Sequence, residues 1–189
     1  GYIKNVPPEV DFFKVDLTDS SFLKKIPARC EIILHLAGQS SGEKSYHDPI
    51  EDLRKNTLST LNLINYGIEN NIKRFLYASS MSVYGNQKLN SISVKEDNLL
   101  EPISCYGIGK LASEQYLEIY KSKFPFVSLR MFNVYGPGQD MDNMQQGMVS
   151  IYLSQALKNR KIIVKGSLLR FRDFIYIDDV VEIWFRTSF

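Results

Sequence analysis

"EIILHLAG", residues 31–38, is a continuous apolar run that ends in glycine. A run of that kind predicts a strand buried on both faces. "RFLYASS", residues 74–80, has the same character, and "FVSLRMFNVYG", residues 126–136, predicts a third strand. Between the first two, residues 48–71 place Ile50, Leu53, Thr57, Leu61, Ile64 and Ile68 at helical spacing, with Pro49 near the start and "ENN" at the close. Between the second and third, residues 106–123 carry Leu111, Tyr116, Leu117 and Tyr120 on one helical side. Strands alternating with helices imply right-handed crossovers and a parallel sheet. The fold class is therefore α/β, a doubly wound parallel sheet.

Upstream, "VDFFKVDL" (residues 10–17) predicts a short strand, and "TDSSFLKKI" (residues 18–26) cap residues followed by a brief helix. Downstream, "MVSIYLSQALKNR" (residues 148–160) predicts a further helix. Such sheets bind ligands beyond the carboxyl ends of their strands. Ala37 with Gly38, Ser79 with Ser80, and Asn133 are accordingly expected to line one crevice.

Composition narrows the function classes. The net charge is +2 with 23% charged residues and no basic run, which gives no support to nucleic-acid or anionic-membrane binding. No apolar stretch approaches the roughly 20 residues that cross a bilayer. Cys30 and Cys105 make no disulfide framework, so the default compartment is the cytoplasm. His35 and His47 stand at no zinc spacing, and no metal is expected; His35 reads as a core-edge histidine and His47 as a loop residue.

A tyrosine four residues before a lysine occurs twice, as Tyr84 with Lys88 and as Tyr106 with Lys110. With 11 tyrosines, roughly one match arises by chance. Tyr84 runs into "GNQKLNS", a turn-like stretch, whereas Tyr106 begins a helix, where residues four apart share a face. Only the second pair is held in register. A free phenol has a pKa of about 10. A cation about 4 Å away contributes about 4 kcal/mol at an effective dielectric near 20, or about three pKa units, against about 1 kcal/mol in water. Lys110 is thus expected to lower the pKa of Tyr106 in a site roofed from solvent. Ser80, at a strand tip, completes a proton-transfer set for alcohol–ketone interconversion. The plainer alternative is that Tyr106 is a half-buried helix residue and Lys110 a solvated one.

"HLAG", "YASSMSVYG", "YGIGK", "RMFNVYGPG" and "RFRDFIYIDDVV" come in the order and approximate spacing of the extended short-chain dehydrogenase/reductase family. Over essentially its whole length the chain resembles the nucleotide-sugar branch, the NAD-dependent epimerase/dehydratase group. The resemblance implies a Rossmann-like domain at residues 1–135 and part of a smaller nucleotide-sugar-binding lobe at residues 136–189. It implies NAD as cofactor, a nucleotide sugar as substrate and a homodimer. Catalytic roles pass to Ser80, Tyr106 and Lys110, and cofactor contacts to Asp16, Leu17, Ala37, Gly38, Asn56, Tyr106 and Lys110. Substrate contacts pass to Ser80, Asn133 and Arg172, the last on the sugar diphosphate; an ion pair of Arg172 with Asp173 or Asp178 is the alternative.

Within the branch, sugar 4,6-dehydratases carry Asp-Glu just after the hydroxyl residue, and decarboxylating relatives a glutamate at the second of those positions. Met81 and Ser82 stand there instead. The implied activity is C4 epimerisation of a UDP-glucose/UDP-galactose type substrate. Another nucleotide-sugar oxidoreductase or dehydratase of the same family, a reductase among them, and a non-catalytic nucleotide sensor are the alternatives. The family's three-glycine fingerprint is absent, since Gly107-x-Gly109 begins a helix and Gly136-x-Gly138 lacks a third glycine. Resemblance thus implies a chain shortened at both ends, with about 50 residues missing at the start, weak NAD binding and an exposed sheet edge. Gly109, where relatives often have serine, is expected to loosen the helix start.

Overall fold

The structure is a computed structural model that describes residues 3–86, 93–164, 166–169 and 171–189. Three parallel strands, β1 (Ile32–His35), β2 (Arg74–Ser80) and β3 (Phe126–Met131), form one sheet in the order β1-β2-β3. Ile33 pairs with Phe75, and Phe75 with Phe126, so all three strands run toward the same end. β2 is central, and from Phe75 to Ser80 it is buried throughout.

The helical crossovers pack on one face of the sheet. The first comprises α1 (Gly42–His47), α2 (Pro49–Leu53), a π turn (Arg54–Leu58) and α3 (Ser59–Glu69). Asp48 caps α2 by accepting from the Glu51 amide, and Asn71, at φ +51°, closes the crossover in the left-handed region. The second is α4 (Cys105–Ile119). Leu63, Ile64, Tyr66, Leu117 and Phe124 join Ile33, Phe75 and Tyr77 in the main core. On the opposite face, α6 (Ile177–Thr187) sets Val180 and Trp184 against Leu76 and Ala78. Helices on both faces of a parallel sheet make this a doubly wound α/β fold. β4 (Asn133–Tyr135) and β5 (Phe174–Tyr176) form a separate parallel pair, and α5 (Met148–Asn159) lies between them in sequence.

Several expectations need correction. Residues 10–17 form no strand, because no described strand lies beside them to complete a ladder; Val15 and Leu17 pack on the core, while Val10, Phe12 and Phe13 stay exposed. The brief helix after them is a 3₁₀ turn, Ser20–Lys24, capped by Asp19. β1 is not buried on both faces: α6 covers β2 and β3 but leaves Leu34 51% exposed. Residues 126–136 are two strands in two sheets, with the break at Phe132. The helix expected to reach residue 123 ends at Ile119. His47 closes α1, and His35 is a core residue, 2% exposed, rather than an edge one.

In the first crossover the apolar spacing holds only in part. Thr57 and Ile64 are buried and Ile68 packs on the core, but Ile50 and Leu53 are exposed, while Asp52, Asn56 and Thr60 face inward. A π turn interrupts the helix between its two parts, and the buried face carries Ser59, Thr60 and Asn62 before it becomes apolar at Leu63, Ile64 and Tyr66. In α4 Leu117 is buried and Tyr120 packs on the core, but Tyr116 is exposed, and Gly107, Gly109, Lys110, Ser113 and Glu114 fill the other buried positions. Two polar helix faces meet there, directly below the strand tips.

Candidate active site

Ser80 ends β2 in extended conformation and caps the 3₁₀ turn Met81–Val83, its hydroxyl accepting from the Ser82 amide at 3.2 Å. The first turn of α4 is built to meet it. Ser104 caps the helix by accepting from the Gly107 amide, and the Tyr106 amide donates to Ser45 Oγ at 3.1 Å. A Cβ at Gly107 would stand 2.5 Å from the Ser82 carbonyl oxygen, so glycine lets α4 approach the strand tip. The Ser80 hydroxyl is near enough to the Tyr106 phenol to favour its ionised form.

Lys110 follows one turn later on the same face. It is 4% exposed, donates to the Ala78 carbonyl at 2.9 Å, and lies 4.9 Å from the Tyr77 ring centre and 5.8 Å from that of Tyr106. The solvated alternative for Lys110 is therefore set aside. Burial lowers its pKa to about 8, while the Asp52 carboxylate pulls the other way. Tyr106 departs from expectation, because its pKa is raised. Burial is the main cause, the Ser80 hydroxyl opposes it, and Asp52 adds to it. Lys110 is not among the groups that lower it.

Beneath this pair lies a polar network absent from the sequence reading. Asp52, 2% exposed, accepts from Gln39 Nε2 at 2.7 Å and from Asn56 Nδ2 at 2.9 Å. The Asn56 carbonyl accepts from Thr60 and Ser113, and Thr60 Oγ1 pairs with His35 Nε2 at 3.0 Å. Asn56 Oδ1, on a side chain 1% exposed, has no partner among the described residues. It sits against Gly38, where a Cβ would come within 2.5 Å of it and 3.5 Å of Lys110 Nζ. A polar helix position flanked by exposed Ile50 and Leu53 was the available signal for Asp52; its meaning needed the fold.

Above the pair opens a cavity of about 490 Å³, lined among others by Ser80, Ser82, Tyr106, Asn133, Gln139 and Gln146. Gln146 Nε2 donates to Ser40 Oγ at 2.8 Å, spanning from the segment after β4 to the loop after β1. A larger cavity of about 780 Å³ lies between α4, β3 and α6; Arg130 and Glu114 line it, and Ser80, Tyr106 and Lys110 do not. Ser80 and Tyr106 line the smaller one, and Lys110 lies buried behind them, lining neither.

A profile of the NAD dependent epimerase/dehydratase family matches residues 3–187. The chain belongs to that family. The UDP-glucose 4-epimerase of Mycolicibacterium smegmatis is 32% identical over 182 residues, covering 94% of this chain and 57% of that protein. Mouse dTDP-D-glucose 4,6-dehydratase is 32% identical over 192 residues, covering 95% and 52%. The crystal structure of UDP-glucose 4-epimerase with UDP-glucose from Thermotoga maritima superposes with a TM-score of 0.90 at 30% identity, over 96% of this chain and 60% of that one. The Thermus thermophilus UDP-glucose 4-epimerase complex with NAD gives 0.89 at 32%, over 100% and 63%. The chain thus spans 52–63% of the length of these relatives.

In this epimerase/dehydratase-family chain, the remaining site candidates divide. Ser79, Ser80 and Asn133 share the 490 Å³ cavity, and Asn133 Nδ2 donates to the Asp173 carbonyl at 2.7 Å. Gly38 borders Asn56 and Lys110 from the side, and Ala37 beside it is exposed; neither lines that cavity. Asp16 is exposed and accepts from the Thr18 amide, and the Leu17 carbonyl accepts from Asn62 Nδ2. Neither reaches the crevice. Arg172 is exposed and, among the described residues, bonds only its neighbour, the Phe171 carbonyl; it pairs with neither Asp173 nor Asp178 and lines neither cavity. Gly109 is no loose point, since its carbonyl accepts from Thr57 and Ser113, and a Cβ there would stand 3.4 Å from Asn56 and Asp52. Lys88, of the rejected Tyr84 pair, lies outside the described residues.

Proposed function

We propose that this chain carries the catalytic centre of an NAD-dependent nucleotide-sugar 4-epimerase acting on a UDP-glucose/UDP-galactose type substrate. The observation that carries the reading is a buried ammonium group on the same helical face as a half-buried phenol that shares a cavity with a strand-tip serine. Gly38, Asn56 Oδ1, Tyr106 and Lys110 form a corner of bare backbone, orphan acceptor, phenol and ammonium that fits the nicotinamide-ribose end of NAD. When bound there, NAD supplies a reversible hydride acceptor for sugar C4.

The chain's own groups handle the proton. Ser80 holds the C4 oxygen, and Tyr106, first ionised to the phenolate, takes its proton as C4 becomes a ketone and returns it when the hydride comes back to the other face. At pH 7 Lys110, with a pKa of about 8, remains mostly charged and stabilises the phenolate that must form before that transfer. Sugar and cofactor exclude water, lowering the local dielectric and strengthening the Lys110–Tyr106 attraction that is weak in the open chain. Met81 and Ser82 favour epimerase over dehydratase, because neither can take a C5 proton or donate one to the C6 leaving hydroxyl.

The test uses the protein expressed from its natural reading frame. UDP-galactose should convert to UDP-glucose without net consumption of NADH or NADPH. Tyr106→Phe should abolish turnover while NAD binding persists. Stoichiometric consumption of NADPH would favour the reductase reading, and a 4-keto-6-deoxy product the dehydratase one. Tight nucleotide binding with no turnover in the wild type would point to a sensor.

A further inference from the structure

We infer that Asp52 is a positioning residue for the cofactor corner of this site, acting through Gln39 and Asn56. The inference rests on the reading just given.

The geometry leaves Asp52 few other uses. One carboxylate oxygen, Oδ1, receives both the Gln39 amide from the loop after β1 and the Asn56 amide one helical turn on. A carboxylate only accepts, so it dictates which way each amide points. Asn56 must offer Nδ2 to Asp52 and therefore Oδ1 to Gly38; the flipped amide would set two oxygens against each other. Gln39 must likewise offer Nε2, which also donates to the Ser41 carbonyl at 2.7 Å, while its Oε1 accepts from the Ser41 amide. Asp52 thereby ties the Gly38–Ser41 loop to the helix and keeps an acceptor aimed into the corner.

Asp52 also supplies the negative charge facing Lys110. The other titratable groups around the ammonium are Tyr77 on β2, Tyr106 on α4 and His35 on β1, and none of them is anionic at neutral pH. A buried carboxylate is costly to desolvate, and here two amide donors and the nearby ammonium offset that cost. Its donors come from the loop and the helix that bound the corner, so the same bonds that satisfy it also position them.

The test compares wild type, Asp52→Asn and Gln39→Leu in the protein from its natural reading frame. NAD affinity, thermal midpoint and the titration of Lys110 by NMR of ¹³C-labelled lysines are measured. For Asp52→Asn, NAD affinity should fall at least about fivefold, the midpoint should fall because the buried ammonium loses its counter-charge, and Lys110 should titrate at lower pH than in wild type. Gln39→Leu keeps the charge, so it should weaken NAD binding and leave the Lys110 titration in place. Wild-type NAD affinity and an unmoved Lys110 titration in Asp52→Asn would overturn the inference. So would a fall in both midpoint and affinity with Lys110 unmoved, or an unweakened Gln39→Leu. A wild-type protein that binds no NAD would overturn the proposed function and this inference together.

Discussion

His35 makes the chain's stability depend on pH in a way that can be calculated. Its ring is sealed beside Phe75 and Tyr77, with Nε2 paired to Thr60 and Nδ1 without a partner among the described residues. Burial first, and the Lys110 charge second, hold its pKa at about 3. In the unfolded chain the ordinary value is about 6.5. The folded value is the lower one, so the unfolded state binds the extra proton. The stabilisation is complete above about pH 6.5 and drains away as pH falls toward about 3. Each pH unit inside that window costs about 1.4 kcal/mol, so moving from pH 7 to pH 5 removes about 2 kcal/mol. For a chain of this size that is a fall of about 4–8 °C in thermal midpoint. Asp52, whose pKa is raised by burial, acts in the opposite sense. The comparison is therefore made against His35→Gln, which keeps Asp52 and cannot titrate. Urea unfolding of both chains at pH 5, 6 and 7 reads the difference. Equal pH slopes in the two chains would refute the reasoning, since His35 would then be protonated in the fold or open to solvent.

Other outcomes follow from the same geometry. Lys110→Met should cut turnover by about 10²-fold or more, and wild-type kcat/KM should fall as pH rises through about 8, where Lys110 loses its proton. A pH–rate profile checks both. Gly107→Ala places a methyl 2.5 Å from the Ser82 carbonyl oxygen and should cost about 1–3 kcal/mol in denaturant unfolding, with α4 displaced from Ser80. Arg130 is bidentate to Glu114 and also bonds Tyr84 and the Glu96 carbonyl. Arg130→Met alone should cost about 3 kcal/mol, because it leaves a mostly buried Glu114 unpaired, and adding Glu114→Leu should recover part of that loss.

Local rules carried a good part of this protein. The i, i+4 register of Tyr106 and Lys110, the parallel strands at 32–35 and 74–80, and the helix between them follow from periodicity and burial within one segment. Only the tertiary structure decided that Lys110 is buried against Ala78, that Asp52 sits beneath it, and that desolvation holds Tyr106 above its ordinary pKa. It also decided that residues 10–17 form no strand and that the third apolar run breaks at Phe132, because pairing and burial depend on neighbours distant in sequence. A sequence states which face of a helix is polar; what that face meets is settled by packing.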